Sequence, residues 1–379
     1  MEKSYSKQIR NILAVIAVLL VIAALKLAGE VSVVLVLALF IFVLILPIAV
    51  GLEKTGLPAF LATLFSALLI LVFLFLTVWF LLYSANTLVR TIPSYYGRIN
   101  QLEALITSMI GRWVDLPEQF SIIDNLSIDW MGGVLVPALK SFSSSAIDII
   151  GNVFVTFLLV LFLLIERHTL IPKIIQISRP DKQAKVSAVL DRIVKQVSKY
   201  LALKAVISLA TGLLFYATAI LARLDFAPMW GVMAFVLNFI PTFGSIIISV
   251  SMILMSVLQY APDWTPVLIT AAGAIGTQMI LGNIIDPRLQ GNNLNLSPFV
   301  ILASLSIFGY IWGVVGMFLA VPLLSILEII FANMDSTKGI AILLSSGSSF
   351  KRRMKYKEKE EKIDNPSLFS DVYMPGDEK

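Results

Sequence analysis

Cysteine is absent from this 379-residue sequence, and His168 is its only histidine. One chain therefore cannot build the cysteine and histidine clusters that bind zinc, iron–sulfur clusters or haem. A Ser-His-Asp triad would need His168, which ends an apolar run and is interpreted as an interfacial residue. The phosphate-binding sequence G-x-x-x-x-G-K-[S/T] is also missing. We expect neither an enzyme nor a resident cofactor or metal.

Charge is the second scarce property, since Asp, Glu, Lys and Arg make up 14% of the residues, against about a quarter in soluble proteins. Each stretch without charge is long enough to cross a bilayer as a helix, which needs roughly 20 apolar residues. The sequence therefore predicts an all-α integral membrane protein and excludes a soluble globular domain. The charge-free stretches are residues 31–52, 55–89, 226–262, 264–285 and 289–327.

Apolar runs predict eight transmembrane spans, at residues 11–28, 31–52, 59–85, 147–166, 202–222, 228–257, 264–284 and 299–331. The spans divide the chain into six segments. These are a group of three helices (1–86), an extracytoplasmic amphipathic insertion (87–146), a fourth helix (147–166), a basic cytoplasmic amphipathic helix (167–204), helices five to eight (205–332) and a basic, largely disordered cytoplasmic tail (333–379).

The distribution of basic residues predicts the orientation. With eight alternating spans, 22 of the 29 Lys and Arg residues fall on the side of the N-terminus, and seven, including Arg223 and Arg288, fall on the other. Basic residues are enriched in cytoplasmic loops, so both termini are predicted in the cytoplasm. The same rule accounts for the net charge of +5, which we do not interpret as nucleic-acid binding.

The predicted span at 228–257 is interrupted by the segment Asn238–Gly244. Within it, Pro241 lacks an amide donor and Gly244 permits a bend. An interrupted helix is tolerated only inside protein or beside a wet cavity, and secondary transporters often bind substrates at such breaks. The pattern predicts part of a substrate path, with a plain proline kink as the alternative.

The last predicted span is unusually long. Ser297–Phe331 has about 35 residues, more than one tilted helix needs. Gly309, Gly313 and Gly316 fall on nearly one helical face, which favours close helix packing. A hairpin broken near Gly316 or Pro322 is the competing geometry.

A polar cluster joins these two regions and includes Asn283, Asp286, Pro287, Arg288 and Gly291. Asp286 could pair with Arg288 or with groups in a cavity, and the amides could hydrogen-bond a polyol. The alternative is an exposed loop rich in turn residues.

Three blocks of the sequence resemble the autoinducer-2 exporter family of bacterial and archaeal membrane proteins. They are Phe239–Gly244 (FIPTFG), Gly282–Gly291 (GNIIDPRLQG) and Gly309–Leu323 (GYIWGVVGMFLAVPL), in that order. The resemblance implies a homo-oligomeric, eight-span secondary transporter in the inner membrane of a prokaryote, exporting small polar molecules such as autoinducer-2. Some relatives are described as sodium or lithium/proton antiporters. Many members carry Glu where Gly282 stands, a carboxylate that proton coupling could use.

Three functions remain open on the sequence. Export of small polar solutes is favoured, a monovalent-cation/proton antiporter would depend on Asp286 as its carboxylate, and a membrane scaffold would transport nothing. The expected partners are membrane lipids, the solute, and protons or sodium as coupling ions. The predicted substrate path consists of Asn238, Phe239, Pro241, Phe243, Gly244, Asn283, Asp286, Pro287, Arg288, Gly291, Trp312, Gly313 and Pro322.

Overall fold

The computed structural model describes residues 2–110, 137, 140–141, 144–290, 296–334 and 337–346. Its helices are α1 (Glu2–Leu27), α2 (Gly29–Lys54), α3 (Ala59–Ile110), α4 (Ala146–Ile177), α5 (Gln183–Leu221), α6 (Ala227–Leu237), α7 (Phe243–Tyr260), α8 (Trp264–Thr277), α9 (Asp286–Gln290), α10 (Pro298–Asn333) and α11 (Lys338–Leu344). A short 3₁₀ turn, Pro180–Lys182, precedes α5, and a π-helix, Gln278–Ile285, joins α8 to α9.

Helices form because hydrocarbon offers no partner to a backbone amide or carbonyl, so each apolar segment must satisfy its own hydrogen bonds. Seven helical segments in the described part of the chain are long and apolar enough to cross a membrane. Together with α1, they overlap all eight predicted spans, although the span predicted at 228–257 contains two helices, α6 and α7. The described residues form one isolated bridge, between Leu296 and Ser345, and no strand. The predicted fold class, an all-α integral membrane protein, is confirmed.

Two helices run through predicted segment boundaries. α3 has 52 residues and continues past residue 86 to Ile110, so the first part of the predicted insertion is a helical extension of the third span. α5 has 39 residues and joins the amphipathic segment to the fifth span without a break. Most of the remaining insertion and the tail beyond residue 346 lie outside the described residues, so their predicted character remains a prediction.

The described residues form two compact units, one drawn from the ranges 1–179 and 198–291 and the other from the ranges 180–197 and 292–379. Two buried apolar clusters hold the first unit together. α2, α3 and α4 pack around one cluster, whose alanines let the helix backbones approach closely, and α5 to α8 pack around the other. The first contains Ala38, Ile45, Ala49, Ala67 and Leu164, and the second contains Phe215, Trp230, Ile248, Met252 and Ala274.

α6 and α7 form a helical hairpin in the first unit. A β-carbon on Gly244 would lie 1.7 Å from the carbonyl oxygen of Leu237, although residues seven apart in a straight helix are separated by about 10 Å. Where α7 ends, the Tyr260 hydroxyl donates to the carbonyl oxygen of Arg223, which precedes α6. The chain therefore leaves and returns at one end of the unit. The predicted interruption is confirmed, and it is a hairpin rather than a kink.

The second unit contains another hairpin, within α10. Trp312 and Gly313 leave helical geometry, and Gly313 has a φ of 60°, which glycine adopts without steric cost. A β-carbon on Gly316 would lie 1.9 Å from the carbonyl oxygen of Phe308, where a straight helix would separate the two residues by about 12 Å. The hairpin alternative is therefore the observed one, with its turn at Trp312 and Gly313.

Both arms of α10 end on the same side of the second unit. The amide of Ser297, just before α10, donates to the carbonyl oxygen of Leu344 in α11 at 2.9 Å. Within the same unit, the Gln196 side chain donates to the hydroxyl oxygen of Ser325 at 3.0 Å. These contacts close the hairpin at its base and attach its second arm to the start of α5.

Candidate functional site

Four residues form a buried polar stripe on α5: Tyr200, Lys204, Ser208 and Thr211. Their spacings of four and three residues place them on one face of the helix. Polar side chains inside a membrane protein are costly unless protein partners or a wet cavity receive them, and such residues often mark transport paths. Two of the predicted site residues, Asn238 and Asp286, contact this polar stripe of α5.

Asn238 contacts the polar stripe from the hairpin turn. It is the residue that follows α6, and its side-chain amide donates to the hydroxyl oxygen of Ser208 at 3.0 Å. Both residues are buried. The bond gives each of these buried polar side chains a protein partner, without which burial in an apolar interior would be costly.

Asp286 contacts the polar stripe at Lys204, one helical turn from the contact of Asn238 with Ser208. Its Oδ2 lies 3.0 Å from Nζ of Lys204, whose side chain is 4% exposed, while that of Asp286 is 16% exposed. Of the two pairings that the sequence left open for Asp286, the structure shows one with a group in the interior.

A π-helix delivers Asp286 to this position. Pro287 has no amide hydrogen, so the carbonyl of Asn283 cannot receive the usual bond from four residues ahead. The preceding segment, Gln278–Ile285, adopts the wider π geometry, which is rare and often found at functional sites. Asn283, Pro287 and Arg288 themselves are exposed.

The phenylalanines of the hairpin turn divide between two environments. The Phe239 ring packs edge-on against Phe235 with centroids 5.4 Å apart, and Phe235 packs in the same way against Phe73 of α3 at 5.8 Å. Phe243 is 50% exposed, and Pro241 is half-buried. Phe239 thus fixes the turn against α3, and Phe243 faces outward.

Close glycine contacts, which the sequence analysis did not single out, bring the helices of the site together. A β-carbon on Gly212 of α5 would lie 2.7 Å from the carbonyl oxygen of Gly231 on α6, and one on Gly273 of α8 would lie 2.4 Å from the Thr218 side chain. Beside the contact of Gly212 with Gly231, an almost wholly apolar cavity of about 430 Å³ lies between α3, α5 and α6. Its walls include Phe73, Phe80, Leu209, Tyr216, Val232 and Phe235.

The remaining predicted residues belong to the second unit or lie outside the described part. The Trp312 ring stacks on Phe308 with centroids 5.9 Å apart, Gly313 forms the turn of α10, and Pro322 is buried in its second arm. Gly291 lies outside the described residues. Among the described site residues, Asn238 and Asp286 are thus the two that contact α5, through Ser208 and Lys204 respectively.

The ion pair of Lys204 and Asp286 corrects one detail of the predicted orientation. Eight alternating spans put Lys204 and Arg288 on opposite sides, yet Arg288 is two residues from Asp286, which contacts Lys204. The α6–α7 hairpin explains the difference, because it returns the chain to the end where it began and α8 then runs back toward Lys204. Assigning Arg288 to the side of the N-terminus changes the basic residues from 22 and seven to 23 and six.

A second polar cluster closes the opposite end of the first unit. The Tyr95 hydroxyl, on the extension of α3, donates to the Asp225 carboxylate between α5 and α6. The Gln259 side chain accepts a hydrogen bond from the Asp225 amide at 3.0 Å. Burial, and then the Asp225 carboxylate, raise the pKa of the Tyr95 hydroxyl above its ordinary value. This cluster ties α3 to both ends of the hairpin.

None of the four residues of the polar stripe, Tyr200, Lys204, Ser208 and Thr211, is among the residues that the sequence predicts for the site. The sequence predicts Lys204 at the end of a cytoplasmic amphipathic helix and Ser208 within an apolar span. The four-residue spacings from Tyr200 to Lys204 and from Lys204 to Ser208 indicate a shared helix face, but neither partner, Asp286 or Asn238, is near them in sequence.

Comparison with known proteins agrees with the family resemblance of the three sequence blocks. The AI-2E family transporter model matches residues 13–336. The AI-2 transport protein TqsA of Escherichia coli K12 is 32% identical, over 86% of this chain and 92% of TqsA. Proteins named "Putative transport protein" are 33% identical in Haemophilus influenzae, over 90% of this chain and 98% of the relative, and 30% identical in Borreliella burgdorferi, over 87% and 89%.

The match includes all three blocks on which the resemblance was based, together with α5, which carries the polar stripe. It extends over most of the chain and over nearly the full length of these relatives. The chain therefore belongs to the AI-2E family of transporters.

Proposed function

We propose that this protein exports small polar solutes, autoinducer-2-like signals or related metabolites, across the cytoplasmic membrane of a bacterium. The observation that carries the proposal is the polar stripe of α5, which receives Asn238 from the broken hairpin and Asp286 from the π-helix. Membrane lipids and further copies of the same chain, as a homo-oligomer, belong to the proposal as partners.

The chemistry of the stripe favours an uncharged solute. Ser208 and Asn238 provide hydroxyl and amide groups, which both donate and accept hydrogen bonds. Lys204 and Asp286 oppose one another at 3.0 Å, so together they add no net charge. A solute rich in hydroxyl groups could replace the Asn238–Ser208 bond without bringing a charge into the site. The name of the relative TqsA, an AI-2 transport protein, agrees with this class of solute.

The two other functions have less support. An antiporter needs a carboxylate that binds a cation and a proton in turn, whereas Asp286 already contacts the ammonium group of Lys204. A scaffold without transport would not need a buried polar stripe beside a broken helix, because such groups cost stability in lipid.

The proposal is tested by export from everted vesicles or proteoliposomes loaded with labelled autoinducer-2 and a panel of related polyols. Replacing Asn238→Ala removes the amide that contacts Ser208. We expect transport to fall about tenfold or more, the effect of losing one buried hydrogen bond of 1–3 kcal/mol. Asn86→Ala is the matched control, since Asn86 is exposed on α3 and donates only to its own helix.

The control variant should transport within about twofold of the wild type, as surface substitutions usually change little. Wild-type protein that moves no member of the panel faster than protein-free liposomes would refute the export function. Equal transport by the Asn238 and Asn86 variants would remove the polar stripe from the path.

A further inference from the structure

We propose that Lys204 is a built-in counter-ion, whose ammonium group occupies the place beside Asp286 that a coupling Na⁺ or Li⁺ ion would otherwise take. Transport by this protein then needs no monovalent metal cation. The inference deepens the proposed export function and rests on it, because it concerns what drives or accompanies passage through the same site.

The geometry of the pair is that of an occupied cation position. Nζ of Lys204 lies 3.0 Å from Oδ2 of Asp286, within ordinary contact for a charge-assisted hydrogen bond. Both side chains are largely shielded from solvent, with 4% and 16% exposure. An ammonium group is a compact point charge with three donors, so it can satisfy a carboxylate much as a bound cation does.

A metal cation could not join this pair without a large loss of affinity. Two unit charges 4 Å apart, at an effective dielectric constant of about 20, repel strongly enough to weaken binding about a thousandfold. Lys204 cannot easily swing away, because it lies in the interior of α5 and is buried among protein groups. The other members of the stripe, Tyr200, Ser208 and Thr211, carry no charge that would offset the repulsion.

The test compares the thermal unfolding of detergent-purified protein in NaCl and in N-methyl-D-glucamine chloride at equal ionic strength. We expect no difference for the wild type. Lys204→Met should gain a rise in Tm of about 3 °C or more with Na⁺, because the cation now binds Asp286 in the folded state. The double variant Lys204→Met/Asp286→Asn should lose that rise, since it has no carboxylate.

Lys195→Met is the matched control. Lys195 is exposed on the same helix, and its removal should leave the protein as indifferent to Na⁺ as the wild type. If Lys204→Met is not monodisperse, Lys204→Ser replaces it in the same comparison.

Two results would overturn the proposal. One is a wild type that Na⁺ stabilises, with the effect lost in Asp286→Asn, and the other is a Lys204 variant that folds but does not respond to Na⁺. The unfolding measurement needs no transport, so it separates this inference from the export function. Where export is observed, exchanging Na⁺ for N-methyl-D-glucamine should change the wild-type rate by less than about twofold, since no bound cation is lost, and a larger fall would also count against the inference.

Discussion

Gly244 shows how one residue determines the hairpin of α6 and α7. The carbonyl oxygen of Leu237 occupies the space where any other residue would place its β-carbon. The contact involves backbone rather than a flexible side chain, so the turn itself would have to move. Glycine is thus required here by close approach, and the position belongs to the block FIPTFG that carried the family resemblance.

Replacing Gly244→Ala should destabilise the protein by about 1–3 kcal/mol, the usual cost of forcing a group into a packed interior. Gly276→Ala is the matched control, because no atom lies within 4 Å of its would-be β-carbon in the helix α8. The control should be neutral or slightly more stable, since alanine favours helices over glycine by up to about 1 kcal/mol. Thermal unfolding in detergent measures both, and equal Tm values for the two variants would contradict the required close approach.

Tyr95 gives a pH dependence with a definite sign. Its pKa is raised in the folded protein by burial and by the Asp225 carboxylate that accepts its hydrogen bond. The stabilising contribution is therefore complete below the pKa of the unfolded chain, about 10, and is lost as the pH rises from there toward the folded value. Acidification toward neutral pH should not affect it.

Tyr95→Phe should lower the Tm at pH 8, because the hydrogen bond to Asp225 is gone, by the equivalent of about 1 kcal/mol. The same variant should lose less of its remaining stability than the wild type between pH 9.5 and about 11, the range above the unfolded pKa. Unfolding scans across that range make the comparison. Parallel pH profiles for the two proteins would show that the Tyr95 hydroxyl does not titrate differently on unfolding.

At the scale of elements, length and hydropathy alone predict single spans at 228–257 and 299–331, whereas the structure has a hairpin in each of these regions. α6 has 11 residues, about 16 Å, whereas a hydrocarbon core is about 30 Å thick. It can reach only part of the way before the turn at Asn238 sends the chain back through α7. Hydropathy counts apolar residues and does not register the direction of the chain, so the side assigned to each later loop changes with the hairpin.

Single-cysteine labelling can test this direction, because the natural chain has no cysteine that would interfere. The three variants are Ser94→Cys on the extension of α3, Asp263→Cys just after the α6–α7 hairpin, and Arg288→Cys just after the π-helix. The hairpin places Ser94 and Asp263 on one side of the membrane and Arg288 on the other. A membrane-impermeant maleimide added to intact cells should therefore label either the first two or the third. Labelling of Ser94→Cys and Arg288→Cys together, without Asp263→Cys, is the pattern of eight plain crossings and would contradict the hairpin.

At the scale of the whole molecule, composition was sufficient for the fold class, and motif blocks were sufficient for the family. Both the fold class and the family depend on local features of the sequence, namely the length of an apolar run and the position of a proline or a glycine. The contacts of the site depend on residues distant in the chain, such as Lys204 with Asp286 and Asn238 with Ser208. Nothing local to Lys204 distinguishes it from the basic residues of the preceding segment, so its role could not be predicted from the sequence. The expected homo-oligomer and the cytoplasmic position of both termini remain predictions.

The short length of α6 also constrains how the protein enters the membrane during synthesis. A segment of 11 residues is shorter than the roughly 20 apolar residues that a helix needs to cross the hydrocarbon core by itself, so we expect α6 to be inserted together with α7. Asn238 lies in the turn of that pair, and its partner Ser208 lies on α5, which precedes the hairpin in the chain and is therefore translated first. We therefore expect the partner of Asn238 to be present in the membrane before the hairpin is inserted.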